Sequence, residues 1–213
     1  MNADELVAGF VLFPGFTGLD LVGPHEVLSR SGLRCLFVAG NLEPVTSERN
    51  VRLLPDETFA TCRQVDVLVV PGGPGQTPAM ENRELIGFVA RQSAGARWTA
   101  SVCTGALLLA QAGVLRGRPA TTHWLARKEL QRLGAVPRSD RVVWDGRVVT
   151  AAGVSAGIDM ALALVAALRG PEEAQRIQLA IEYDPQPPFA TGAPEKAPAA
   201  IVEQLRQKSR FSS

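Results

Sequence analysis

The sequence predicts a single α/β domain built around a mostly parallel sheet. Three observations carry that prediction. Strand-like segments recur at 7–13, 33–39, 66–70 and 98–102, of which 7–13 is a continuous apolar run and 66–70 likewise reads as a strand buried on both faces. Segments with helically spaced apolar residues lie between several of them. Glycine and proline stop two of the runs, at Pro14-Gly15 and at Pro71-Gly72-Gly73.

The elements follow in order. After the first strand, 17–31 reads as a helix through Leu19, Val22, Val27 and Leu28, with Gly23-Pro24 expected to bend or restart it. The second strand is 33–39, and 42–59 holds short β-like pieces between charged turns. The strand at 66–70 runs into the glycine cluster, 84–93 reads as a helix, and 98–102 as the next strand. A helix of small and apolar residues occupies 104–112. Segments 141–144 and 147–150 form a β-hairpin, for which Asp145-Gly146 suits a type I′ turn. The strongly apolar 155–168 is a helix whose Ala and Gly content predicts close packing on the sheet. Pro171-Glu172-Glu173 opens another, with proline in the first turn and acids at the positive helix end. Five of the 15 prolines fall in 185–198, which reads as an ordered or partner-wrapping arm, and 199–208 adds a last helix. With no repeat and no linker, one domain over 1–213 is expected, with 185–213 as a proline-rich C-terminal arm.

Composition excludes several function classes. Lys and Arg number 22 against 21 Asp and Glu, so no basic surface for nucleic acid or anionic membrane is indicated. No basic start leads into an apolar run, and 160–168 is far shorter than the roughly 20 residues of a membrane span. Cys35, Cys62 and Cys103 are scattered and odd in number, which suits a reducing cytoplasm rather than a disulfide scaffold. With two histidines only, a histidine-rich metal site is not expected, and no cofactor motif is present.

The chemistry concentrates at Ser101-Val102-Cys103-Thr104-Gly105, where a strand stops at a cysteine and a helix of small residues begins at once. That is the strand-turn-helix pattern of a nucleophile elbow. Unpaired N–H groups at the helix start favour a thiolate over a thiol. Cys35, inside an apolar strand, and Cys62, beside a turn, read as structural. Pro71-Gly72-Gly73-Pro74-Gly75 follows a parallel strand and so lies at the carboxyl edge where open α/β sheets build sites. Its glycines let backbone N–H groups approach a developing charge, and their spacing is not that of a dinucleotide fingerprint. Asp20, between Leu19 and Leu21, is either a helix-start acid or, at the same sheet edge as Cys103, an acid/base partner titrating with it as a coupled pair. His123 is a candidate base or a helix cap, and His25 reads as structural.

Together these residues resemble the ThiJ/PfpI superfamily, and within it the isocyanide hydratase branch. The resemblance rests on Phe13-Pro14, Leu19-Asp20-Leu21, Gly23-Pro24-His25, Pro71-Gly72-Gly73 and the Cys103 elbow. It continues through Ala120-Thr121-Thr122-His123-Trp124, Ala156-Gly157-Ile158-Asp159, 178–183, Pro187-Pro188-Phe189 and Gly192. It implies a flavodoxin-like sandwich with Cys103 as nucleophile, Asp20 as its acidic partner and Thr104 beside them. The N–H groups of Gly73, in the Gly72-Gly73 turn, and of Thr104 would stabilise charge, and Val154 would line the pocket. It also implies a cytoplasmic homodimer with no metal or organic cofactor, which would give the arm a partner to pack on. Thr104 stands where protease-like members have histidine, and Asp20 where stress-response members have glutamate. The chain ends at Ser213, with no room for the helix-turn-helix half of related transcription regulators. The implied activity is hydration of an isocyanide to an N-substituted formamide through a covalent thioimidate. The alternatives are a glyoxalase- or hydrolase-like thiol enzyme, a redox or ligand-sensing module, and a paralogue without activity.

Overall fold

The computed structural model describes residues 6–211; the first five residues and the last two of the expected arm lie outside the described residues. The chain begins with β1 (Val7–Val11), α1 (Gly18–Arg30) and β2 (Arg34–Ala39), followed by the short strands β3 (Val45–Thr46), β4 (Arg52–Leu53) and β5 (Glu57–Thr58). Next come β6 (Val67–Val70), α2 (Gln76–Glu81), α3 (Arg83–Gly95), β7 (Trp98–Val102) and α4 (Gly105–Gln111). The short strands β8 (Pro119–Ala120) and β9 (Val136–Pro137) bracket a 3-10 turn at Trp124–Ala126 and α5 (Arg127–Arg132). The hairpin β10 (Val142–Asp145) and β11 (Val148–Ala151) leads to α6 (Ala156–Arg169), α7 (Pro171–Ala180) and, beyond the arm, α8 (Ala199–Gln207).

The main sheet has seven strands in the order β10-β11-β7-β6-β1-β2-β5. Every pairing is parallel except β10 with β11. All of β6 and β11 is buried, as continuous apolar strands require when helices cover both faces. The chain leaves β1 for β2 on one side and later returns to place β6 on the other. The carboxyl ends of β1 and β6 therefore flank a topological switch point, where α/β sheets open a crevice.

Two sequence expectations are corrected. Helix α1 does not restart at Gly23-Pro24 but runs on with Pro24 inside it. The proline ring fills space that a side chain at Gly157 of α6 would occupy, a Cβ there lying 3.0 Å from Pro24 Cγ. Close helix packing thus offsets the lost backbone hydrogen bond. The hairpin turn is shifted by one residue: Asp145 pairs with Val148, so Gly146-Arg147 forms the loop. Gly146 has φ +56° while Arg147 is not among the residues of positive φ. A type I′ turn needs positive φ at both central positions, and this pattern, with glycine first, is that of type II′.

Candidate active site

Cys103 sits between the end of β7 and the start of α4 with φ +56°, in the left-handed region that a non-glycine residue enters only when its surroundings hold it there. Two bonds do so. The Cys103 N–H donates to the Ala151 carbonyl at the end of β11 (3.1 Å), and its carbonyl accepts from Thr122 Oγ1 (2.8 Å). The turn is also crowded from the β6 side. A Cβ on Gly105 would stand 2.1 Å from the Val70 carbonyl oxygen, and one on Gly72 would stand 2.4 Å from the Thr104 nitrogen. Only glycine at both places lets the elbow and the Pro71–Gly75 turn lie this close.

Asp20, in the first turn of α1, is completely buried. Its Oδ2 accepts the Gly72 N–H at 2.8 Å, while Oδ1 is buried without a well-formed hydrogen bond. The Cys103 thiol is close enough to act on the carboxyl's ionisation, and the carboxyl on the thiol's. Burial pushes the Asp20 carboxyl from 3.8 up to about 7, against the pull of the Gly72 N–H and the thiol, and with a further push from the charge of Glu48. Cys103 is raised well above the ordinary thiol range, first by burial and then by the negative charge of Asp20. The Thr104 N–H and the Arg210 guanidinium act in the opposite direction. The helix start thus does pull on the sulfur as expected, while burial and Asp20 push the other way and outweigh it. Below pH about 7 both groups are protonated, and above it the pair keeps one proton between a sulfur and a carboxylate, so the two groups titrate as a coupled pair.

Thr104 lies at the cap position of α4 and is buried. Its Oγ1 accepts the Gly73 N–H at 3.0 Å, so the N–H groups of Gly72 and Gly73 are both engaged, Gly72 with Asp20 and Gly73 with Thr104. A cavity of about 250 Å³ opens over Cys103, lined in part by Gly73, Thr104, His123 and Val154. Residues singled out on four separate loops therefore meet at one place. His123 also caps the 3-10 turn, its Nδ1 accepting the Leu125 N–H at 3.4 Å. Burial and the neighbouring cations Arg210 and Arg127 hold its pKa below the ordinary histidine value. It is thus both a cap and a wall of the cavity. A larger groove of about 760 Å³ adjoins the first, sharing His123 and Val154 and bounded by Pro187 and Phe189 of the arm.

The other singled-out residues lie elsewhere. His25 packs against the rings of Phe10 and Phe37, at 5.4 and 5.0 Å, which also touch each other. Cys35 and Cys62 are free and half-buried; burial pushes Cys35 up to about 12 and raises Cys62. Among the described residues, no group of three His, Cys, Asp or Glu side chains is placed to hold a metal ion. Sequence reasoning missed Thr17 and Glu48, whose side chains hydrogen-bond at 2.9 Å on the cavity wall. It also missed Ser209, Arg210 and Phe211, which complete that wall from the far end of the chain. No local pattern marks any of these five.

Comparison with known proteins agrees with this architecture. The chain is 46% identical over 205 residues to an isonitrile hydratase of Pseudomonas putida, covering 96% of this chain and 90% of that protein. It is 31% identical over 172 residues to protein dj-1beta of Drosophila melanogaster, covering 78% of this chain and 91% of that one. The crystal structure of a ThiJ/PfpI family protein from Pseudomonas syringae superposes with a TM-score of 0.93 at 40% identity, over 96% of this chain and 86% of that chain. The profile of the DJ-1/PfpI family matches residues 7–167. With the seven-stranded sheet and the strained cysteine between β7 and α4, this shows that the chain belongs to the DJ-1/PfpI family.

Proposed function

We propose that this protein hydrates isocyanides to N-substituted formamides, with Cys103 as the nucleophile. The observation that carries the reading is the buried Cys103 thiol, opening on a cavity and backed by the fully buried Asp20 carboxyl that acts on its ionisation, and the 46% identity to an isonitrile hydratase supports it. The terminal carbon of R–N≡C is electrophilic. Asp20 takes the thiol proton as the sulfur adds to that carbon, and the same proton then passes to the carbon, giving the thioimidate R–N=CH–S–Cys103. Asp20, ionised again, deprotonates a water that attacks the same carbon and relays that proton to nitrogen. Collapse of the adduct breaks the C–S bond, releases R–NH–CHO and returns the last proton to the pair. One water is consumed and no redox change occurs.

Thr104, Gly72, Gly73 and Val154 have supporting roles in this scheme. Gly72 holds Asp20 in place, the Thr104 N–H faces the sulfur, and the Gly73 N–H stabilises developing charge by exchanging its Thr104 partner for the substrate. Val154 bounds the space for the R group. The same reading takes the whole chain as one working unit with 185–213 as its arm, acting as a homodimer in the cytoplasm. Three free cysteines suit a reducing compartment. Among the described residues no helix is long and apolar enough to cross a membrane.

The test is turnover of an aryl isocyanide by the wild type beside Cys103→Ala, with methylglyoxal as a parallel substrate. Formamide from the wild type alone is expected. Formamide formation by Cys103→Ala at the wild-type rate contradicts the mechanism, and lactate from methylglyoxal without formamide favours the glyoxalase-like alternative.

A further inference from the structure

We propose that the C-terminal segment 208–211 is a wall of the reaction chamber, in which Arg210 is a positioning residue for the turn beside Cys103 and Phe211 limits the size of electrophile that reaches the thiol. The proposal rests on the reading of Cys103 as the nucleophile, not on which electrophile it takes.

Geometry carries it. Helix α8 is anchored through its buried Val202, and the chain beyond it turns inward, with the Phe211 N–H donating to Ser209 Oγ at 3.1 Å. Arg210 Nη2 donates to the Gly73 carbonyl at 2.8 Å and to Gln76 Oε1 at 3.2 Å, bridging 137 and 134 residues of sequence. Gly73 adopts φ +129°, and a Cβ there would lie 2.5 Å from the Thr17 nitrogen, so the turn has one narrow conformation. Its carbonyl belongs to the peptide bond preceding Pro74, which has no N–H. The Gly73 carbonyl also accepts the Gln76 N–H at 3.1 Å, so the Arg210 bond adds a second restraint, from the far end of the chain, to that peptide, and Pro74 also lines the cavity. The guanidinium stands over the Phe211 ring at 4.7 Å, fixing the two side chains against each other. Both of its hydrogen bonds use Nη2, so Nε and Nη1 have no protein acceptor among the described residues and remain donors at the cavity wall.

The segment also sets charge. The titratable and charged groups around the thiol are Asp20 from α1, Glu48 after β3, His123 before the 3-10 turn, and Arg210. Arg210 is the cation that acts against Asp20 on the sulfur, so losing it raises the thiol pKa further.

Alkylation of Cys103 in the full-length chain tests this whether or not the protein hydrates isocyanides. Iodoacetamide serves as the small probe and N-phenylmaleimide as the bulky one. Peptide mass spectrometry reads Cys103, Cys35 and Cys62 separately. Phe211→Ala is expected to raise the bulky-to-small rate ratio at Cys103 by about tenfold, equivalent to ~1.4 kcal/mol of barrier. Rates at Cys35 and Cys62 should stay unchanged. Arg210→Met is expected to move the pH midpoint of Cys103 alkylation upward, and Arg210→Lys to restore most of that movement. An unchanged ratio in Phe211→Ala overturns the size limit, as does a rise shared equally by Cys35, which would mean general loosening. An unchanged midpoint in Arg210→Met overturns the role of the arginine. Loss of formamide formation in the wild type, with these shifts intact, would refute the hydratase reading and leave the wall standing.

Discussion

Replacing Asp20 with asparagine should change the pH dependence of folding in a way that the carboxyl's burial dictates. The carboxyl is raised from 3.8 to about 7 in the folded protein. Between those values the folded chain binds a proton that the unfolded chain has released, so wild-type stability falls as pH rises through this window. A rise of about three pKa units, at about 1.4 kcal/mol each, removes about 4 kcal/mol by the time pH passes 7. Asparagine has no such titration. Its side-chain oxygen can keep the Gly72 N–H, but its amide group then occupies the place of Oδ1, which has no well-formed hydrogen bond. That unsatisfied donor costs about 1–3 kcal/mol at every pH. Asp20→Asn should therefore be the less stable protein at pH 4 and the more stable one above pH 8. Urea unfolding of both proteins across that range, with the stability difference plotted against pH, is the assay. A difference that stays flat from pH 4 to pH 8 would refute the claim that Asp20 is held protonated by burial.

Other outcomes follow from the same geometry. Because the Cys103–Asp20 pair works with one proton, kcat/KM for an isocyanide should rise with pH through about 7 as Asp20 ionises, and a pH–rate profile of Asp20→Asn should lack that limb. Gly105→Ala places a Cβ 2.1 Å from the Val70 carbonyl oxygen, so it should cost more than about 3 kcal/mol in thermal or urea unfolding. Asn82 accepts the N–H groups of Glu84 and Leu85 at 3.0 and 3.1 Å to cap α3; Asn82→Ala should cost about 1 kcal/mol and lower Tm by about 2–4 °C without touching the Cys103 cavity.

What could be read in the sequence was what local physics determines. The elbow at Cys103 is visible because a strand, a cysteine and a helix of small residues are contiguous, and the Pro71–Gly75 turn because it ends a buried strand. The sequence leaves Asp20 as either a helix-start acid or a partner at the same edge, and only packing shows that it is buried and bonded to Gly72. The protonation state of the thiol could not be read, since desolvation, which outweighs the helix-start pull, depends on neighbours from distant segments. The Asp-Gly pair marked the hairpin yet misplaced its turn by one residue, because strand register rather than the dipeptide sets the loop. Pro24 suggested an interruption that contact with Gly157 removes. Arg210 and Phe211 were illegible for the same reason: their partner Gly73 is 137 residues from Arg210, and nothing in a polar C-terminal stretch announces that it folds back on the site.

The most direct test of the central claim is the mass of Cys103 during turnover. Wild-type protein mixed with an aryl isocyanide and quenched in acid within the first turnover should carry the full mass of the isocyanide on the Cys103 peptide, with Cys35 and Cys62 unmodified. Formamide released at the steady-state rate while the Cys103 peptide stays unmodified at every quench time would contradict covalent catalysis by this residue.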